Sequence, residues 1–190
     1  MLRHLLGAFG LFLLLTTAAP PVELEDAAGS YRIAPAGSRI AFRIPKAGGG
    51  AMTGSFGSFS GSIVIDGRDV ARSRVEIAID PRSVATGEQR ADRFLLSDAV
   101  FNAPPERRIT FRSMGVKRTG DGTATVAGAL TARGETHNET FHVALASMKG
   151  GRIGFHVTGR VLRSRYGMDV GTPIYSNVVD FDMTLIGARN

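Results

Sequence analysis

The stretch GSFSGSIVID, residues 57–66, decides the fold class. Phe59, Gly61, Ile63 and Ile65 fall on one side, and Ser58, Ser60, Ser62, Val64 and Asp66 on the other. A period of two with a dry side is a half-buried β-strand. A β protein either fills the space behind such a face with side chains or keeps it for a ligand.

The same alternation recurs almost from end to end. Ile40, Phe42 and Ile44 oppose Arg39, Ala41 and Arg43, and Val75, Ile77 and Ile79 oppose Arg74, Glu76 and Asp80. It continues through Ile109 and Phe111, Ala124 to Leu130, Phe141 to Leu145, Ile153 to Val161 and Val179 to Leu185. With the opening stretch these predict eight strands. Glycine-rich turns separate them, among them Asp66-Gly67, Gly120-Asp121-Gly122, Gly134 and Gly150-Gly151, and short connections imply antiparallel neighbours. The pattern predicts an all-β chain, an up-and-down barrel or a sandwich.

Residues 83–108 break the alternation. Thr86 followed by Gln89 reads as a capping box, and Ala91, Phe94 and Leu95 have helical spacing, so a short helix is expected over residues 87–97. A connection this long either covers a mouth or plugs one end of a barrel.

The chain of 190 residues is long enough for one domain. Arg3 and His4 precede an apolar run over residues 5–15, followed by Thr16 and Ala18. This run is shorter than the roughly 20 residues of a membrane span and reads as a secretory signal peptide over residues 1–18, leaving a domain over residues 19–190; a retained signal anchor is the alternative. The absence of cysteine excludes disulfides and thiolate chemistry, and export without disulfides points to a bacterial periplasm. The formal charge of +6 falls to +5 once Arg3 is lost with the leader. So small an excess, spread over many strands, reads as a solvated exterior. It argues against nucleic acid and leaves open a transient contact with anionic membrane lipid.

No catalytic constellation emerges. In THNETFH, His137 and Glu139 share a strand face while His142 points away, so the three do not converge on a metal. His142 and His156 lie on polar faces. GSFSG has Phe59 where a hydrolase needs its nucleophile, and no glycine loop leads to a lysine. The apolar face is thus expected to bury a ligand. An aliphatic chain of about 20 methylene-like groups gains on the order of 16 kcal/mol from leaving water, at roughly 0.8 per group. Gly61, Ala124 and Gly128 each withhold a side chain from the dry face, and a hollow interior would accommodate a leucine at 128.

Taken together, IAFRI at 40–44, GSFGSFSGSIVID, IAIDPRSVATGEQR at 77–90, FNAPPERRITFRS at 101–113, VAGALTARGETH at 126–137 and GRVLRSRYGMDV at 159–170 give a chain that resembles the YceI-like family of exported polyisoprenoid-binding proteins. The resemblance implies an eight-stranded antiparallel lipocalin-like β-barrel, with one short helix in a long connection and a hydrophobic pore for an isoprenoid chain. The chain departs from the family at Ala91, which displaces Asp92 from its usual place after Arg90, and at Arg165, where an acidic residue is usual.

The expected function is non-catalytic: a periplasmic carrier or reservoir for a polyprenyl chain or isoprenoid quinone, with no cofactor and no metal. Phe42, Phe59, Ile63, Ile77, Phe111, Val126, Phe141, Val143, Phe155 and Phe181 would line the pore, and Arg90, Arg163 and Tyr166 its polar mouth. A homodimer is compatible with this reading. The rivals are a stress-response or interaction barrel with a filled core and, less readily, a barrel enzyme acting on a hydrophobic substrate. Because Arg163 and Arg165 share parity with dry Val161, the strand must bulge or end near residues 162–166. Amino-terminal sequencing of the exported protein is expected to return Ala19; a chain still beginning at Met1 would refute cleavage.

Overall fold

The computed structural model describes residues 23–104 and 107–190, so the leader over residues 1–18 and the start at Ala19 lie outside the described residues. Eleven strands and one α-helix follow one another: β1 (Gly29–Ile33), β2 (Arg39–Pro45), β3 (Ala51–Phe56), β4 (Phe59–Ile65), β5 (Arg74–Ile79), β6 (Val84–Ala85), α1 (Gln89–Leu96), β7 (Ile109–Gly120), β8 (Thr123–Ala132), β9 (Glu135–Lys149), β10 (Arg152–Leu162) and β11 (Val178–Arg189). Every pairing among these strands is antiparallel.

Eight of them close into a ring in the order β1, β4, β5, β7, β8, β9, β10, β11, with β11 pairing back onto β1. The expected eight-stranded antiparallel barrel is therefore present, with one exchange of membership. The Ile40 to Ile44 strand, β2, branches from β11 and carries β3 and β6, while β1 completes the ring. The two share one edge of β11: residues 180–184 pair with β2 and residues 187–189 with β1. Neither β1 nor β3 was among the expected strands. GSYRI is short, and in AMTGSF the alternate positions carry Gly54, whose bare backbone is covered by the Phe42 ring.

Turn chemistry fixes the register. Arg133 (φ 55°) and Gly134 (φ 96°) join β8 to β9, and Gly150 (57°) and Gly151 (73°) join β9 to β10. Two successive positive φ values make the primed turn whose twist matches a hairpin.

The helix begins two residues later than expected and ends one residue earlier. Gly87 has a φ of 86°, outside the helical region, and Glu88 is the N-cap. Thr86 binds Asp92, not Gln89: its backbone N–H and its hydroxyl both donate to Asp92 Oδ1 at 2.7 Å. Leu95 is the buried face of α1.

The gaps expected at Gly61 and Gly128 are filled. A Cβ at Gly128 would collide with the Arg112 carbonyl and come within 2.6 Å of Phe111 Cζ; one at Gly61 would collide with the Glu76 carbonyl and lie 2.8 Å from Ile33 Cδ1. These glycines permit close approach of neighbouring strands, and Gly128 sits opposite the register shift between Ser113 and Gly115. The expectation that residue 128 has room for leucine is thereby corrected. Gly128→Ala should lower the stability of delipidated protein by about 1 to 3 kcal/mol, and Gly128→Leu by more. A leucine variant that melts at the wild-type temperature would overturn this account.

Candidate functional site

The inward faces of the ring, together with β2 and β3, line a cavity of about 190 Å³. Phe42, Ile63, Ile77, Phe111 and Val126 line it, as do Phe141, Val143, Phe155 and Phe181. Phe111 meets Phe141 edge-on at 5.2 Å between ring centroids, and Phe141 meets Phe181 at 6.3 Å. Phe59 is buried at the start of β4 but is not a lining residue, and Arg90 is exposed on α1, away from the lining.

The two ends of the cavity differ. At one end Leu95 of α1, Val100 and Phe101 close over it together with Arg163, Tyr166 and Met168. Arg133 ties these pieces together by donating to the Asp98 and Gly167 carbonyls, and Phe101 packs on Phe56 at 5.9 Å. At the other end lie Leu24, Val70 and Val116. Polar side chains enter the lining only as Arg163 and Tyr166 at the α1 end and Ser73 at the other.

β10 ends at Leu162, and a 3-10 turn over Arg163–Tyr166 follows. Arg163 is buried, and all five of its N–H groups have acceptors. Nε donates to Ser176 O (2.8 Å), Nη1 to Met168 O and Val170 O, and Nη2 to Thr172 Oγ1 (2.9 Å) and Tyr175 O (3.0 Å). The guanidinium thus organises the 168–177 segment and keeps no donor for a ligand; its lining contribution is its stem and its charge. Burial pulls its pKa below the ordinary arginine value, partly offset by Asp169.

Glu139 is the inward-facing carboxylate that the sequence reading missed, and it is buried. Its Oε1 accepts from Tyr166 Oη and from Arg165 Nη1, each at 3.0 Å. His137 Nε2 lies 2.8 Å from Arg165 O, and its ring meets Tyr166 edge-on. The signal was present, since Glu139 has the parity of Phe141 and Val143. Tyr166 is fully buried, and its pKa is raised above 10.0, first by loss of solvent and then by its bond to Glu139. It is a neutral donor, unsuited to serve as a base. Among the described residues no group of three His, Cys, Asp or Glu side chains is placed to hold a metal ion.

The model of the YceI-like domain matches residues 31–186. A UPF0312 protein of Serratia proteamaculans is 29% identical over 169 residues, covering 85% of this chain and 88% of its own length. The fold is similar to that of Burkholderia cenocepacia BcnA, with a TM-score of 0.75, 22% identity, and coverage of 81% of this chain and 98% of that one. It is also similar to a polyisoprenoid binding domain from Saccharophagus degradans implicated in plant cell wall breakdown, with a TM-score of 0.68, 18% identity, and coverage of 84% and 98%.

The Tyr166 environment predicts an alkaline limb of stability. Because its folded pKa is raised, its stabilising contribution is complete below the unfolded value near 10 and is lost as pH rises above it towards the folded pKa. Phenolate absorbance should therefore report Tyr166 ionising only as the barrel unfolds, and Tyr166→Phe should lessen the loss of stability above pH 10. A phenolate that forms in the intact barrel at its ordinary pH would contradict the burial.

Proposed function

The chain belongs to the YceI-like domain family, and from that premise we propose that it is a lipid-binding barrel that holds an isoprenoid lipid, a polyprenyl chain or isoprenoid quinone, without transforming it. The observation that carries this reading is the cavity. Left empty, about 190 Å³ of apolar space costs on the order of 4 to 5 kcal/mol at about 24 cal/mol per Å³, a large fraction of a domain's total stability. An apolar occupant removes that cost, whereas a filled-core interaction barrel would have no such space.

The head group in this reading is neutral. Arg163 has all its donors on protein acceptors, and Arg165 bonds a carboxylate already in place, so no preformed anion cradle faces the lining. The leader read from the sequence supports a periplasmic location, and loading from a bilayer surface is the corresponding route. Glu139 and Tyr166 hold each other in a closed pair, which supports binding rather than proton transfer.

Organic extraction of the purified protein, followed by mass spectrometry, is expected to recover an isoprenoid lipid in near-equal amount to the protein. Val143→Phe, which adds bulk to the lining, should reduce the recovery about tenfold while unfolding remains cooperative. Wild-type protein free of any lipid, or carrying only straight-chain fatty acids, would defeat the proposal.

A further inference from the structure

The end of the cavity remote from α1 is built differently from its walls. The walls are inward side chains of the ring strands and of β2 and β3. At this end the lining comes from Leu24, in the turn before β1, and from Val70, in the short 3-10 segment Val70–Arg72 between β4 and β5, beside the exposed Val64. Both are buried, and β7, which contributes Val116, packs against the second segment.

Each piece has its own anchors outside the sheet. Leu24 N–H donates to Asp121 O at 3.0 Å, and Glu25 Oε1 accepts from Arg118 Nη1 at 2.6 Å. The fully buried Ala27 accepts at its carbonyl from Tyr31 Oη at 2.9 Å. On the other segment, Asp66 Oδ1 accepts from the Arg68 and Asp69 N–H groups, and Asp69 Oδ1 from Ala71 N–H. The two meet at Gly67, where a Cβ would lie 2.6 Å from Ala28 Cβ. They abut at this end of the barrel, where Leu24 and Val70 reach the lining.

We propose that Leu24 and Val70 are the chain-length stop of the cavity, setting the longest isoprenoid tail it retains; the inference rests on the lipid-binding reading above. Arg163 and Tyr166 lie at the opposite end, and a polar head buried away from polar groups is costly, so the tail tip points to Leu24 and Val70. Ser73, the polar residue there, accepts the Asp66 N–H at 3.1 Å. A tail gains burial with each carbon until it touches the buried Leu24 and Val70, and beyond that point it must displace them. Because the stop sits on two connections, substitutions there leave the barrel ladder untouched.

The test offers delipidated wild type, Leu24→Ala and Val70→Phe an equimolar mixture of polyprenyl alcohols, from farnesol to solanesol, and counts the bound homologues by native mass spectrometry. Leu24→Ala should raise, by about tenfold, the ratio of the next longer homologue to the one the wild type prefers. Val70→Phe should lower the same ratio by a similar factor. An unchanged ratio in both variants, with affinity reduced alike for every homologue, overturns the stop. A wild type that retains every length equally overturns it too, while leaving the lipid-binding reading intact. A wild type that retains none of the alcohols overturns that reading and the stop with it. Should one variant fail to fold, the other, on a separate segment, decides the matter.

Discussion

The structure depends on the two edges of β11. One edge pairs with β10 along residues 178–188, and the other is divided between β2 and β1. An open sheet would leave rows of unpaired backbone groups; the last residues of β11 close the ring onto β1, while its first half carries the β2–β3–β6 branch. The same strand turns Phe181, Met183 and Leu185 towards the cavity. Closure and cavity draw on both edges: β1 seals the ring, while β2 and β3 of the branch join β4, β5 and β7 to β11 in turning their dry faces to a common space.

Arg163 makes the ring compatible with a dry interior. Continuing β10 by one residue in register would place a guanidinium beside Val161 in an apolar wall, which is prohibitive unless every donor is met. The chain instead turns at Arg163–Tyr166 and wraps residues 168–177 around the cation, so that four backbone carbonyls and one hydroxyl take its five N–H groups. One of those acceptors, Ser176, lies just before β11 begins at Val178. The arginine therefore sets the path by which the chain enters its ring-closing strand, and it helps hold the α1 end of the cavity with no donor left for a ligand.

Alternation made most of the barrel legible. The dry faces of β4, β5, β10 and β11 could be read directly because most of their inward positions carry large apolar side chains. β1 and β3 were not legible, being short or carrying glycine at the inward position. Gly128 illustrates a different limit: a glycine on a dry face looks the same in sequence whether the space is empty or filled by a ring from the next strand. Register decides it, and register brought Phe111 over the site. The parity of Arg163 foretold the end of its strand, but its partners are backbone carbonyls, which have no signature in sequence. Glu139 was legible by parity with Phe141 and was passed over because its partners, Tyr166 and Arg165, sit more than twenty residues further along the chain.

The polar end of the cavity argues for selection by shape and neutrality. A fatty acid would bring a carboxylate, and a buried carboxylate demands free donors or a cation within reach. At this end Arg163 is committed to the 168–177 segment, and Arg165 pairs through Nη1 with Glu139, whose negative charge would repel a second anion. Tyr166 directs its proton to Glu139 and presents its oxygen only as an acceptor. A hydroxyl-headed chain meets that acceptor without burying a new charge. A carbonyl-headed quinone introduces no charge either, while an anion finds repulsion. Under the proposed lipid-binding reading, discrimination would follow from donors being used up by the protein itself, so that the contacts stabilising this end of the barrel would also limit the head groups it admits.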